Sequence, residues 1–143
     1  MSQADEWSSF LAGIELTELK LAGMFGQIRE LVDLELDPLP GEWEVELQQA
    51  HLIEDNQIRI RVIAEANGPG GRLVVDGMGV FTSEQSLGDI PPHIVSKFVS
   101  ETGFAAVVPT VRASFHDLNQ RLELDAPRLG LFKFLPPEPA HDD

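Results

Sequence analysis

An α+β fold, an antiparallel β-sheet with helices packed on one face, is what this sequence predicts. Three observations lead there. Apolar residues recur at every second position between about residues 14 and 82, and short polar turns punctuate that stretch. After Gly88 the period lengthens to 3.6. Strands followed by helices, in a chain of 143 residues, make one domain with the helices segregated to one side of the sheet.

Residues 1–12 are polar around a small apolar cluster (Trp7, Phe10, Leu11), which predicts a loosely ordered arm or a brief helix. From Ile14 to Leu36 two periods compete. "ELKLAGMF" sets Leu19, Leu21, Gly23 and Phe25 against Lys20, Ala22 and Met24, and "IRELVDLEL" continues the alternation through Val32, Leu34 and Leu36. Leu16, Leu19, Met24, Ile28 and Leu31 would equally line a helix. Strands are favoured, because Gly23 and Gly26 would each weaken a helix by ~1 kcal/mol. "GEWEVELQQA" then alternates Trp43, Val45 and Leu47 with Glu42, Glu44 and Glu46, one dry face and one acidic face. "QIRIRVIAEA" alternates Ile58, Ile60, Val62 and Ala64 with Arg59, Arg61, Ile63 and Glu65, and "EDN" supplies the turn between the two. "NGPGG" is a further hairpin loop before "RLVVDGMGVFT", which completes a three-strand meander from Trp43 to Thr82.

"PPHIVSKFVSETG" predicts a helix with prolines in its first turn, Ile94, Val95 and Phe98 on its buried side, and a stop at Gly103. A second helix carries the stripe Phe104, Val107, Val108, Val111, Phe115, Leu118 and Leu122. Pro109 fits the first turn of a helix, where its missing N–H has no partner, so regular helix is expected from about Val108 to Leu122. Its other side (Ala106, Thr110, Ala113, Ser114, Asp117) is small or short, and small side chains let another helix approach closely. That side is therefore either an oligomer contact or a plain exposed face. "PPEPAHDD" is too polar and proline-rich to pack, so residues 1–134 are expected as the domain and 135–143 as a disordered acidic tail.

Composition narrows the function. With 24 acidic and 10 basic residues the net charge is −14, which repels nucleic acid and anionic membranes and suits a basic protein partner. No uninterrupted apolar run approaches the ~20 residues of a membrane span, and "MSQADEWSSF" lacks a basic region followed by an apolar core. The absence of cysteine removes thiol nucleophiles and thiolate metal sites, and it fits a cytoplasmic location. His51, His93, His116 and His141 are scattered without metal-ligand spacing. The adjacent pair His116-Asp117 diverges by ~100° on a helix, so it makes a poor acid–base couple. "GPGGR" lacks the lysine and Ser/Thr of a phosphate loop. Neither an enzyme nor any cofactor or metal is expected.

The stretch "FVSETGFAAVVPTVRASFHDLNQRLELDAPRLGLF" resembles the C-terminal half of SecB-type protein-export chaperones, nearest to the SecB-like chaperones of toxin–antitoxin systems. Pro109, Val111 and Arg112 stand in the order of the family's Pro-aromatic-x-Arg motif, with Thr110 in place of the aromatic. Arg121, Leu122, Leu124, Pro127, Leu129 and Leu131 follow the pattern R-L-x-L-P-x-L-x-L. The resemblance implies a homo-dimer, or a tetramer of dimers packed through the helix that Pro109 opens. It also implies an ATP-independent holdase that buries apolar segments of unfolded or partly folded clients, in protein export or toxin–antitoxin control. Candidate client contacts are then Leu16, Met24, Phe25, Trp43, Val45, Met78 and Val80, and partners include a basic antitoxin or a translocase component. With no cysteine and only His141 after Phe134, the metal-binding tail that docks family members on the export motor is not matched. A non-chaperone module that binds one specific partner is the alternative.

Overall fold

The computed structural model describes residues 2–28 and 42–129. Helix α1 (Gln3–Ala12) leads into β1 (Ile14–Ile28), and β2 (Glu44–Glu54), β3 (Gln57–Gly68) and β4 (Gly71–Ser83) follow. A 3-10 turn (Leu87–Asp89) then precedes α2 (Pro92–Phe98) and α3 (Phe104–Leu122), which are joined by a π-helical segment, Val99–Gly103. The strands form one antiparallel sheet in the order β1-β4-β3-β2, with the helices on one face: the expected α+β fold, including the meander from Trp43 to Thr82.

The core lies between α3 and the centre of the sheet. Ile58, Ile60, Val62, Ala64 and Ala66 of β3 face the helices and are fully buried, as are Leu73 and Val75 of β4. The predicted stripe of α3 meets them, with Phe104, Val107, Val108, Val111 and Phe115 buried and Leu118 and Leu122 packed at its end. Close approach comes from Gly77 and Gly79 of β4, because Val111 and Val107 occupy the space that their β-carbons would need. The N-terminal residues, expected as a loose arm or a brief helix, form α1. Ser2 caps it by accepting from the Asp5 N–H at 3.2 Å. Phe10 is buried edge-on against Phe98 (5.4 Å between ring centres), which meets Phe81 in the same way at 5.0 Å.

The structure corrects the sequence reading in two places. First, β1 is one strand whose pairing with β4 shifts at Thr17 and at Ala22. Each extra residue reverses the alternation. Leu16, Leu19, Leu21 and Met24 therefore share the helix side, and Phe25 points the other way, whereas strict alternation groups Phe25 with Leu19 and Leu21. The second alternating stretch, from Arg29 to Leu36, and the tail 135–143 lie outside the described residues.

Second, Gly103 does not end a helix, and regular helix does not wait for Val108. Gly103 has φ −60 and the chain stays helical from Pro92 to Leu122. Across the π turn the buried positions step by five, Phe98 to Gly103 and Val99 to Phe104, and this keeps both on the sheet side where a 3.6 period would turn them away. Gly103 is needed for packing: a β-carbon there would come within 3.0 Å of Ile60 Cδ1. Pro109 is thus interior to α3. It sits on the exposed side, as does Ala105, whose carbonyl loses its usual donor and is left to water. By length and composition, Pro92–Leu122 passes for a membrane-crossing helix, with mean hydropathy 1.2 in its most apolar window. Half of that window is buried in the protein.

After α3 the chain reverses at Glu123, which adopts the left-handed conformation (φ 52). Asn119 fixes the return, its Nδ2 donating to the Ala126 carbonyl at 3.0 Å and its Oδ1 accepting from the Ala126 N–H at 3.1 Å. Leu124, Ala126 and Leu129 are buried by this fold-back.

Candidate protein-binding surface

The helix layer is narrower than the sheet. α3 packs chiefly on β4, β3 and β1, leaving helix-side margins open along both edge strands. On β1 the margin is a row: Leu16, Leu19, Leu21 and Met24 are 37–46% exposed despite facing the helix side. On β2 it comprises Val45 and Ile53, both exposed, with Leu47 half-buried between them. Apolar side chains left in water on a strand of 15 residues are costly unless something covers them.

The opposite face of the sheet is polar. Asp76 accepts from Arg61 through both carboxylate oxygens, the Nη2–Oδ2 contact being 2.6 Å, and Glu65 accepts from Arg72 at 2.7 Å. The hydrogen bonds that Arg61 donates to Asp76, and then the Asp76 charge, raise the Arg61 pKa above its ordinary value. Lys20–Glu18 and Arg59–Glu54 extend the charged pattern toward the edges.

The seven candidate contacts divide between these faces. Leu16, Met24 and Val45 are exposed on the helix side. Phe25 is exposed on the polar side, with the Arg72 guanidinium 6.0 Å from its ring centre. Met78 is half-buried there, and Val80 is only 6% exposed, flanked across the strands by Glu18 and Arg59. Together they line a hollow of about 400 Å³ with Thr17, Glu18, Lys20, Gln57 and Arg59. Trp43 is half-buried against Gly68 and belongs to the rim of the core. Leu19 and Leu21 complete the β1 row, and Leu52 and Ile53 are exposed on β2. The bulges concealed the first two. The second two are adjacent apolar residues on an edge strand, a pattern that exposes one on each face.

Along α3, Ala106, Thr110 and Ser114 are half-buried, and Ala113 and Asp117 are exposed. Asp117 is held by Arg121 one turn on, at 3.0 Å. His116 instead rests against Phe115, so His116 and Asp117 do not work as a couple. Arg112 Nε is buried without a partner among the described residues. A separate cleft of about 440 Å³ opens between α1, the end of β4 and α2, with Phe10, Ile90 and Ile94 in its lining and the carboxylates of Glu6, Glu84 and Asp89 around it. No group of three or more metal-ligating side chains occurs among the described residues.

No family model matches this sequence, and no curated protein does. Among solved structures the fold is similar to that of the Mycobacterium tuberculosis SecB-like chaperone Rv1957, determined in complex with a ChAD peptide from the HigA1 antitoxin Rv1956. The TM-score is 0.63 at 14% identity, over 88% of this chain and 96% of that one. The chain has a SecB-like fold.

Proposed function

We propose that this SecB-like chain is an ATP-independent chaperone of the cytoplasm, a holdase for unfolded or partly folded proteins. The observation that carries the reading is the row Leu16, Leu19, Leu21 and Met24, four large apolar side chains in line and open to solvent. Each client side chain buried on such a row contributes ~1.5–3 kcal/mol before ordering costs. Two or more subunits would add avidity without new contacts. Methionine suits variable clients because it is flexible and polarizable. The protein would act as a homo-dimer, or a tetramer of dimers, joined through the Ala106–Asp117 side of α3. Its charge of −14 favours basic clients, such as an antitoxin or a translocase component.

The experiment is aggregation of several unrelated refolding clients, followed by light scattering with no nucleotide present. Suppression across clients, reduced in Leu19→Ser/Met24→Ser, is the expected result. Both positions are exposed, so the variant should unfold like the parent, which urea denaturation checks. Protection of none of three or four clients by a folded oligomer would leave the dedicated single-partner module as the better reading. That second reading is favoured by the antitoxin peptide bound to the similar structure.

A further inference from the structure

We infer that α1 is a displaceable strap, and that the aromatic site its Phe10 fills between β4 and α2 takes a partner segment carrying an aromatic residue beside a basic one. The inference rests on the reading of the chain as a binder of polypeptide segments, and it adds a second site with its own cover. α1 has ten residues, a length at which an isolated helix is marginal in water. Its order therefore rests on docking, which falls to two side chains. Phe10 is buried edge-on against Phe98, and Phe98 in turn meets Phe81. Trp7 is half-buried beneath the Lys97 ammonium. Ala4, Asp5, Ser8, Ser9, Leu11 and Ala12 are exposed. The helix joins β1 through Gly13 alone, whose carbonyl accepts from the Glu84 N–H at 2.7 Å and forms a fixed pivot.

Shape favours α1 in this site and charge opposes it. Glu6 shares the cleft of about 440 Å³ with Glu84 and Asp89, and none of the three has an ion pair among the described residues. Glu84 also lies at the C-terminal end of α1, its Oε2 3.5 Å from where a β-carbon on Gly13 would stand. A helix C-terminus carries partial negative charge and favours a cation, yet the last turn of α1 has no basic residue. The helix is thus held by its rings and pushed by its carboxylates. If it left, the Phe98 edge and the apolar lining of Ile90 and Ile94 would be uncovered, with Glu84 and Asp89 still beside them. A segment that brings an aromatic ring to Phe98 and a lysine or arginine to the place of Glu6 matches both shape and charge. The built-in occupant matches only the first.

The test uses the full chain and the dye-labelled peptide Ser-Gln-Ala-Asp-Lys-Trp-Ser-Ser-Phe-Leu-Ala, which is residues 2–12 with Glu6→Lys. Binding is measured by fluorescence anisotropy. The controls are the peptide of unchanged sequence and the basic peptide with serine for its phenylalanine. The basic peptide should bind about fivefold more tightly than the unchanged one, and the serine form should not bind. A tethered competitor acts at high effective concentration, so a chain with Phe10→Ser should bind the basic peptide about tenfold more tightly than the parent. Circular dichroism in urea checks that this variant keeps its sheet and α3. Glu84 is exposed, so Glu84→Lys should stay folded, bind the basic peptide more weakly and slow amide exchange of Gln3–Ala12 about fivefold. In the parent chain, the bound peptide should speed that exchange. Equal binding of the basic and unchanged peptides, binding of the serine form, or α1 exchange that the peptide leaves unchanged would overturn the inference. So would α1 exchange as slow as that of β3 in the free chain, or exchange that slows with protein concentration, which would give the site to α1 of a second copy. Failures separate cleanly. Client protection with an α1 that never opens removes the strap alone, and selective peptide binding without client protection removes the holdase reading alone.

Discussion

Gly77 and Gly79 do their work by what they lack. Val111 and Val107 of α3 descend onto them, so the helix sits closer to β4 than any side chain would permit. Gly77→Ala is expected to destabilise the protein by about 1–3 kcal/mol, the cost of overpacking a close-packed site. Urea denaturation measures it, and Val111→Ala in the same chain should recover part of the loss. Asn119 is a second small determinant of large effect. Its amide satisfies both the N–H and the carbonyl of Ala126, so Asn119→Ala leaves two partly buried groups without partners. A loss of about 1–3 kcal/mol is expected, with faster amide exchange at Ala126 as its specific mark. Neither role is legible in the sequence, where glycine reads as a weakener of strands and asparagine as a polar helix residue. Each depends on a partner distant in the chain or beyond the helix end.

At the scale of elements, the long helix and β1 show where periodicity informs and where it misleads. The stripe from Phe104 to Leu122 was legible because an unbroken 3.6 repeat has one geometric meaning. The junction before it was not, because the π turn substitutes a step of five that looks like a break, and a glycine at that break imitates a stop. Bulges conceal the β1 row in the same way: a residue inserted into a period of two changes the face of everything beyond it. Pro109 offers a direct check on the helix. It is exposed and interior, with no N–H to give the Ala105 carbonyl. Pro109→Ala should therefore raise stability by about 1–3 kcal/mol, seen as a higher melting temperature, after allowing for the greater freedom of the unfolded chain. An unchanged or lowered melting temperature would mean that the proline supports a contact outside the single chain.

Assembly belongs to the whole molecule. The Ala106–Asp117 side of α3 carries short side chains, on which a helix of a second subunit can settle closely. Light scattering should give a mass at least twice 15.8 kDa. Ala113 is exposed in the single chain, so Ala113→Arg should leave the subunit folded and lower the mass, because an unpaired charge cannot be buried between subunits without heavy cost. A monomer at micromolar concentration would remove that interface. Of the exposed helix-side residues, Leu16, Met24 and Val45 were legible, and Leu19, Leu21 and Ile53 were not. Their division between two faces was not, since it follows from strand order and bulges.

Trp43, resting on Gly68 at the start of β2, gives the molecule an optical reporter of its own. The chain has only two tryptophans, and the other, Trp7, sits on α1 with the Lys97 ammonium 4.5 Å from its ring centre. They mark opposite ends of β4, a strand of 13 residues and so roughly 40 Å long at ~3.3 Å per residue. With Trp7→Phe, all intrinsic emission comes from the corner where β2 begins. Any change of packing at that corner then becomes readable as a change in colour and intensity from an unlabelled protein, separately from any undocking of the N-terminal helix.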